Sequence, residues 1–307
     1  MQIFFTLLIK ISPLYGLIAL SYIVGKFFTI DRKIIAKFLI YIVIPLVVFN
    51  GVISAKLTAG NIALPITFFV VATLISFFAA WLGRRFWHDS TKNLLAFASG
   101  SGNTGYFGIP VAVAIFSNDM FSLAVLSTLG IILFENTFGF YHVSRGHYSV
   151  RDSLNKILKL PSIWTFIIGL ILNIFGIHFT NSHFTTYSNV VKDIYVFFGM
   201  SMIGLSLAAI KTYQFDFKFL IFSHLNKFIL WPILIGLIIL FDKLALHIFS
   251  ADNYRILLLM SIVPLAANTV VYATELRAHP EKAATAVFIS TVIALFYIPL
   301  MVGIFIK

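Results

Sequence analysis

The sequence predicts an all-α membrane protein with ten transmembrane helices arranged as two inverted five-helix repeats. The 307 residues are 60% hydrophobic and only 11% charged, whereas soluble domains carry about a quarter charged residues. Apolar runs of roughly 20 residues, enough to cross a bilayer, recur from end to end. Proline and glycine interruptions stand at corresponding places in the two halves of the chain. Together these three observations predict the fold class.

Short loops separate the apolar segments. The first segment is too long for a signal-peptide core and is therefore interpreted as a retained span. The predicted segments are Ile3–Phe28, Ile34–Ile53, Ile62–Gly83, Asn93–Phe116, Met120–Tyr141, Pro161–Ile177, Val190–Ile210, Phe217–Phe241, Tyr254–Glu275 and Ala283–Ile306. Residues 1–141 then form the first repeat, 142–160 a basic cytoplasmic loop, and 161–307 the second repeat.

The basic residues orient these segments. Most of the 22 Lys and Arg residues fall in the odd-numbered loops, which the positive-inside rule places in the cytoplasm. Both termini are therefore predicted to lie outside. The net charge of +11 is explained by this topology and does not indicate nucleic-acid binding. The chain has no cysteine, which excludes disulfides and thiolate catalysis.

Similar elements recur in the two halves of the chain. The run Ala124–Thr128 resembles Ala286–Thr291, and Pro264 interrupts the ninth segment where Pro110 interrupts the fourth. Because each repeat has an odd number of spans, the second copy is inverted in the membrane. Paired interruptions in inverted repeats mark the substrate site of many transporters.

The stretch Ser101–Pro110 is the most informative interruption. It holds three glycines and a proline together with polar Asn103 and Thr104, and such a run cannot sustain an ordinary helix. In a bilayer, the freed backbone groups are tolerated only inside protein or beside a watery cavity. Segments four and nine are therefore predicted to cross near the midplane, each as two half-helices.

These residues also resemble a known family. Asn103-Thr104 followed by Gly108-Ile109-Pro110, Ile44–Phe49 near the second-segment proline, and Pro264 followed by Tyr272–Leu276 are similar to the auxin efflux carrier family. Its members include plant auxin exporters and bacterial malate or malonate permeases. The chain lacks the long cytoplasmic loop of the plant members and looks more like the bacterial branch.

The resemblance implies ten spans in two inverted repeats, with a scaffold domain and a transport domain that contains the crossover. It also implies an anionic carboxylate substrate, an elevator-like movement, a homodimer and, for the bacterial branch, location in the inner membrane. These properties are expectations taken from the family.

Four residues are candidates for substrate contact. Asn103 adds side-chain donors where the positive end of a half-helix, beginning near Gly108 or Pro110, favours an anion. Thr104 stands beside it, and Asn268 and Thr269 are the symmetric counterparts. The alternative for each is that it only satisfies broken-helix backbone groups.

Four further residues are predicted to shape the crossover without touching substrate. They are Gly105, Gly108, Pro110 and Pro264. For the prolines, the alternative is an ordinary kink, which membrane helices tolerate.

Two charged residues lie within predicted spans. Glu135 is a candidate for proton coupling, because intramembrane carboxylates are commonly functional; alternatively it reaches the interface and pairs with His142 or a loop arginine. Lys227 lies near the middle of the eighth segment if that segment begins at Phe217, and is an interfacial anchor if it begins near Leu225. The preceding Ser223, His224 and Asn226 favour the anchor.

No enzyme motif, metal-ligand spacing or cofactor motif is recognisable in the chain. The sequence therefore predicts a non-enzyme without a cofactor or metal. The two broken segments predict a secondary transporter for a small organic anion that works by alternating access, and the family resemblance implies that this anion is a mono- or dicarboxylate. Its partners are the lipid bilayer, the anion and a coupling ion, either a proton or sodium. The alternative is a sensor that keeps a transporter fold and binds a small molecule without sustained flux.

Overall fold

The computed structural model of the chain describes residues 2–116, 120–143, 161–177, 179, 182–210, 214–275 and 277–305. Its regular elements are all helices and the described residues form no sheet, so the all-α prediction is confirmed. The helices are α1 (Gln2–Phe27), α2 (Ile34–Ile53), α3 (Ala59–Gly83), α4 (Thr91–Gly100), α5 (Thr104–Ile115), α6 (Met120–Val143), α7 (Pro161–Ile174), α8 (Ser182–Ala208), α9 (Phe217–Leu246), α10 (Ala251–Ser261), α11 (Asn268–Glu275) and α12 (Pro280–Phe305).

Seven of these helices are long and apolar enough to cross a membrane: α1, α2, α3, α6, α8, α9 and α12. Large apolar side chains are exposed along them, for example Ile9, Leu74 and Leu237. A soluble protein would rarely expose so much contiguous apolar surface. The chain is an integral, multi-pass membrane protein. The ten-span, inverted-repeat arrangement stays a prediction, and most of the predicted 142–160 loop lies outside the described residues.

Segments four and nine differ from the other apolar segments because each consists of two short helices. Segment four is α4 and α5, and segment nine is α10 and α11, with non-helical backbone in between. The interruptions coincide with the glycines around Gly102 and with Pro264, where a continuous helix would lose backbone hydrogen bonds.

Two segments are longer than the hydropathy predicts. Helix α8 begins at Ser182, two turns before the predicted Val190. Helix α9 continues to Leu246 through a final π-helical turn. Asp242 holds this end by accepting hydrogen bonds from the backbone N–H groups of Ile248 (2.9 Å) and Phe249 (3.1 Å).

The helices pack as two groups. One group contains α1, α2, α7 and α8, in which α1 packs along α8 and α2 along α7. The other contains α3, α4, α6, α9, α10, α11 and α12. Helix α5 lies between them and contacts α1, α6 and α8, and the groups also meet where α1 packs against α12 and α2 against α6. This division places the broken segments beside the boundary between the two groups.

Asn173 of α7 ties the end of α2. Its Nδ2 lies 2.8, 3.2 and 2.7 Å from the carbonyl oxygens of Val52, Ile53 and Ala55. The last carbonyl groups of a helix lack hydrogen-bond donors within the helix, and the hydrocarbon of a bilayer offers no water to donate instead. A single buried amide therefore satisfies this helix end.

Replacing Asn173 with leucine is expected to lower the free energy of unfolding by about 1–3 kcal/mol, because the hydrogen bonds that its buried amide donates to the end of α2 are lost. Thermal unfolding in detergent checks this. Asn189→Leu is the control, because Asn189 is exposed on α8 and bonds the Lys192 side chain of its own helix, so no contact between helices is lost. Equal melting of the two variants would contradict the assigned role of Asn173.

Candidate functional site

A cavity of about 290 Å³ lies between the two helix groups. Helices α2, α7 and α8 line one side, through residues such as Val47, Ser162 and Tyr195. The interrupted parts of segments four and nine, together with α6, line the other. The cavity is therefore bounded by the non-helical backbone that the sequence singles out.

The two interrupted segments meet directly. Gly102 and Leu265 form an antiparallel β-bridge, and the Asn103 N–H donates to the Pro264 carbonyl at 2.9 Å. A second bond runs from the Leu265 N–H to Ser290 Oγ of α12, at 3.2 Å. Backbone groups freed by the breaks thus find partners inside the protein, as the hydrocarbon requires.

Helix α5 begins earlier than expected. It starts at Thr104 with a π-helical turn, Thr104–Gly108, and the Gly108 N–H bonds the Asn103 carbonyl at 2.8 Å. Pro110 then stands in the first turn of the α-helical part, where its missing N–H costs least. The prediction that the half-helix begins near Gly108 or Pro110 is wrong by about one turn, because a π-helical turn precedes that point.

The glycines of this turn allow close packing against other helices. An ideal Cβ on Gly108 would stand 2.7 Å from the Met260 sulfur, and one on Gly105 3.1 Å from the Tyr195 hydroxyl. The first distance is too short for a real contact and the second is tight. Absent side chains at these positions let α10 and α8 approach the start of α5.

Asn103 and Thr104 face the cavity and are buried, with 4% and 1% of their surface exposed. Among the described residues, Asn103 Nδ2 and Thr104 Oγ1 have no hydrogen-bond partner. Buried polar atoms are normally paired, so each such atom calls for an explanation. A ligand bound in the adjoining cavity would supply the missing hydrogen-bond partners of these two atoms.

Glu135 links the two broken segments. Its carboxylate accepts hydrogen bonds from the Ser101 hydroxyl on one oxygen and from Asn268 Nδ2, at 2.7 Å, on the other. Only 4% of the residue is exposed and it lines the cavity. The interpretation that Glu135 reaches the interface is therefore wrong, because helix α6 places it deep between segments four and nine.

The structure separates the symmetric pair in segment nine. Asn268 begins α11 and lines the cavity, whereas Thr269 is fully buried and is not among the lining residues. Pro264 does not line the cavity either, and its carbonyl accepts the Asn103 N–H bond that joins the two broken segments. Asn103, Thr104, Gly105, Asn268 and Glu135 are thus brought together.

Lys227 is not an interfacial anchor. Helix α9 begins at Phe217, so Lys227 falls well inside it, within a π-helical turn, with only 1% of its surface exposed. Its Nζ lies 4.5 Å from the centre of the Trp231 ring. Polar neighbours in the sequence suggested an interface, but Asn226 instead turns inward and bonds Ser99 Oγ of α4 at 2.9 Å.

Comparison with known proteins gives two relatives. Both are archaeal proteins named transporters. One, from Methanocaldococcus jannaschii, carries the name uncharacterized transporter and is 26% identical over 276 residues, covering 87% of this chain and 88% of its own length. The other, with the same kind of name, is from Methanothermobacter thermautotrophicus and is 24% identical over 281 residues, covering 88% of each chain. No protein-family model matches the chain.

Sequence reasoning missed several residues of the site. They are Ser101, which bonds Glu135 but does not line the cavity, and the lining residues Tyr106, Tyr195 and Tyr272. A π-helical turn begins at Thr104 and another at Glu135, and such turns are frequent at functional sites. Within the described parts of the chain, no group of three His, Cys, Asp or Glu side chains could hold a metal ion.

Proposed function

We propose that the chain is a secondary transporter that carries a small organic anion, a mono- or dicarboxylate, by alternating access. The observation that carries this proposal is the cavity at the contact of the two broken segments. Asn103 Nδ2 and Thr104 Oγ1 are buried beside it without a hydrogen-bond partner in the part of the chain that the structure describes. Similarity to proteins named transporters along most of the chain supports the same class.

The polarity of the site favours an anion. Helices α5 and α11 both begin at the cavity, at Thr104 and Asn268. The N-terminal end of a helix carries partial positive charge and attracts carboxylates. The Asn103 amide adds donors without adding charge. A cavity of about 290 Å³ suits a ligand of metabolite size.

The wider architecture belongs to the same proposal. The α4–α5 and α10–α11 pairs are the crossover helices of two inverted five-helix repeats, as the resemblance to the auxin efflux carrier family implies. The group α1, α2, α7 and α8 is the scaffold against which the remaining helices move. The protein is a homodimer in a bacterial inner membrane, with both termini outside, and is coupled to a proton or sodium.

The test is counterflow of labelled malate, malonate and monocarboxylates in proteoliposomes. The wild-type protein is expected to exchange at least one of these acids. Asn103→Ala is expected to lower the exchange rate by about tenfold or more, since a lost hydrogen bond to a charged group is worth about 1.5–3 kcal/mol. Asn50→Ala is the matched control. Asn50 is equally buried and has no hydrogen-bond partner among the described residues, but it does not line the cavity.

Two results would contradict the proposal. Equal exchange rates for Asn103→Ala and Asn50→Ala would show that the substrate does not bind where the two broken segments meet. A folded wild-type protein that binds one of the acids, by isothermal calorimetry, yet never exchanges it would favour the sensor.

A further inference from the structure

Lys227 is a buried cation that the proposed substrate contacts do not use. Its side chain is 1% exposed, inside the span formed by α9. Among the described residues, none of the ion pairs within 4.0 Å includes its Nζ. A charge inside the hydrocarbon is costly and usually serves a function.

Gly102 shows where the ammonium group lies. A Cβ built on Gly102 would stand 2.6 Å from Lys227 Nζ, so the ammonium occupies the space of the missing side chain. Gly102 lines the cavity and Lys227 does not. The backbone at Gly102 therefore separates the cation from the cavity, close enough for its field to act there in a low-dielectric interior.

The opposite charge, Glu135, contacts Ser101, the residue directly before Gly102. It faces the cavity and accepts the hydrogen bond of Ser101, directly before Gly102. A buried acid and a buried base are thus held at consecutive residues of the same extended segment. The acid faces the substrate, and the base lies behind the backbone.

Few other titratable groups surround this pair in the described parts of the chain. Tyr106, Tyr195 and Tyr272 line the cavity with Glu135, and His142 lies about two turns further along α6. Beside Lys227, α12 contributes Tyr297, which bonds the Phe228 carbonyl, and α9 itself contributes His224 one turn earlier. Helices α3 and α4 bring no acidic side chain to it.

The charges of Glu135 and Lys227 determine whether the site is electrically neutral in its empty and its loaded state. With the cavity empty, ionised Glu135 and charged Lys227 sum to zero. A bound monoanion makes the sum negative, and one proton on Glu135 restores zero. We propose that Glu135 and Lys227 couple the single negative charge of the substrate to one proton, making the protein an electroneutral proton–anion symporter.

The hydrogen bonds of Glu135 give the coupling a physical route. The ionised carboxylate holds Asn268 Nδ2 at 2.7 Å. A proton entering from outside forms an O–H bond on Glu135, which weakens that acceptor and releases the Asn268 amide toward the anion. Inside, the anion leaves, the proton dissociates to water, and Asn268 returns to the carboxylate. Proton and anion therefore increase each other's affinity.

This inference rests on the proposed function and narrows its substrate. One proton compensates one negative charge, so the cargo is a monocarboxylate or the singly ionised form of a dicarboxylate. A doubly charged anion would leave the loaded site negative in the hydrocarbon.

The test measures accumulation of the acid that the wild type exchanges. An outside-acid gradient of about one pH unit is expected to concentrate the anion about tenfold in wild-type proteoliposomes. A clamped membrane potential is expected to change nothing. Glu135→Gln is expected to abolish the response to the pH gradient, and its anion accumulation is expected to follow a positive-inside potential instead, about tenfold at about 60 mV.

Lys227→Met tests the cation separately. The anion then meets the cavity without a counter-charge, so its binding is expected to weaken by about tenfold or more. Wild-type affinity in a folded Lys227→Met protein would overturn the proposal. If Lys227→Met does not fold, the responses of the wild type and of Glu135→Gln to the pH gradient and to the membrane potential decide whether the anion is coupled to a proton.

The outcomes separate this inference from the proposed function. Wild-type accumulation driven by the membrane potential or by a sodium gradient overturns the inference and leaves the transporter intact. Absence of exchange in a folded wild-type protein overturns both.

Discussion

Gly130→Ala is expected to reduce the free energy of unfolding by about 3 kcal/mol, because overpacking of a tight helix contact cannot relax. An ideal Cβ on Gly130 of α6 would collide with the Pro65 carbonyl oxygen of α3 and approach Phe68 Cβ at 2.9 Å and the Phe69 N at 3.0 Å. Two of these three atoms belong to the α3 backbone. Small residues permit such close approach between membrane helices.

The measurement is the unfolding midpoint in detergent, read by loss of the monodisperse size-exclusion peak. Gly16→Ala is the matched control, because a Cβ at Gly16 of α1 meets nothing within 4 Å. Alanine favours a helix over glycine by about 1 kcal/mol, so the control is expected to be neutral or stabilising. Equal midpoints for the two variants would refute the assigned close packing of α3 and α6.

Lys282→Met is expected to destabilise the protein by about 2 kcal/mol, because one partner of a largely buried ion pair is removed. Lys282 Nζ donates to Asp216 Oδ2 at 2.9 Å and to Thr91 Oγ1 at 3.0 Å. Trp87 Nε1 also donates to Asp216 Oδ2, at 3.1 Å. The cluster joins α4, α9 and α12 at one end of the protein, so its loss releases three helix starts together.

The same cluster predicts an acid-dependent loss of stability. Burial alone would raise the pKa of Asp216, but its bonds with Lys282, the Phe219 N–H and Trp87 bring that pKa below the usual 3.8. A folded-state pKa below the unfolded value stabilises the protein above about pH 4, and this contribution is lost as the pH falls further. Lys282→Met is expected to flatten that part of the stability–pH profile.

Arg255→Met is the control for charge removal. Arg255 pairs with Asp252 at 3.0 Å, but the two side chains are 43% and 54% exposed. Exposed pairs contribute about 0–1 kcal/mol, so its midpoint should barely move. If Arg255→Met and Lys282→Met melted alike, the Lys282 cluster would not stabilise the fold.

The interruptions of segments four and nine could be predicted because their causes are local. Glycines around Gly102 and the proline at 264 disfavour a helix wherever they occur, and the structure breaks both helices there. The sequence predicts the start of α5 about one turn too late, because a π-helical turn has no comparable sequence signal. The membrane class follows equally from composition, since each apolar run must meet lipid or another helix.

The partners across the site could not be predicted in the same way. Glu135 and Asn268 are 133 residues apart, and their hydrogen bond depends on how α6 and α11 pack. Lys227 stands among polar neighbours that resemble an interface, yet α9 begins ten residues earlier and carries it into the interior. Thr104 and Thr269 have equivalent sequence settings, but only Thr104 reaches the cavity.

The sequence by itself determined the all-helical membrane class, the position of most apolar segments and the two places where helices break. Each depends on hydropathy or backbone preference over a few neighbouring residues. Only the tertiary structure decided that Glu135 joins both broken segments and that Lys227 lies behind Gly102. These contacts join distant helices, and their geometry depends on packing that no local pattern encodes.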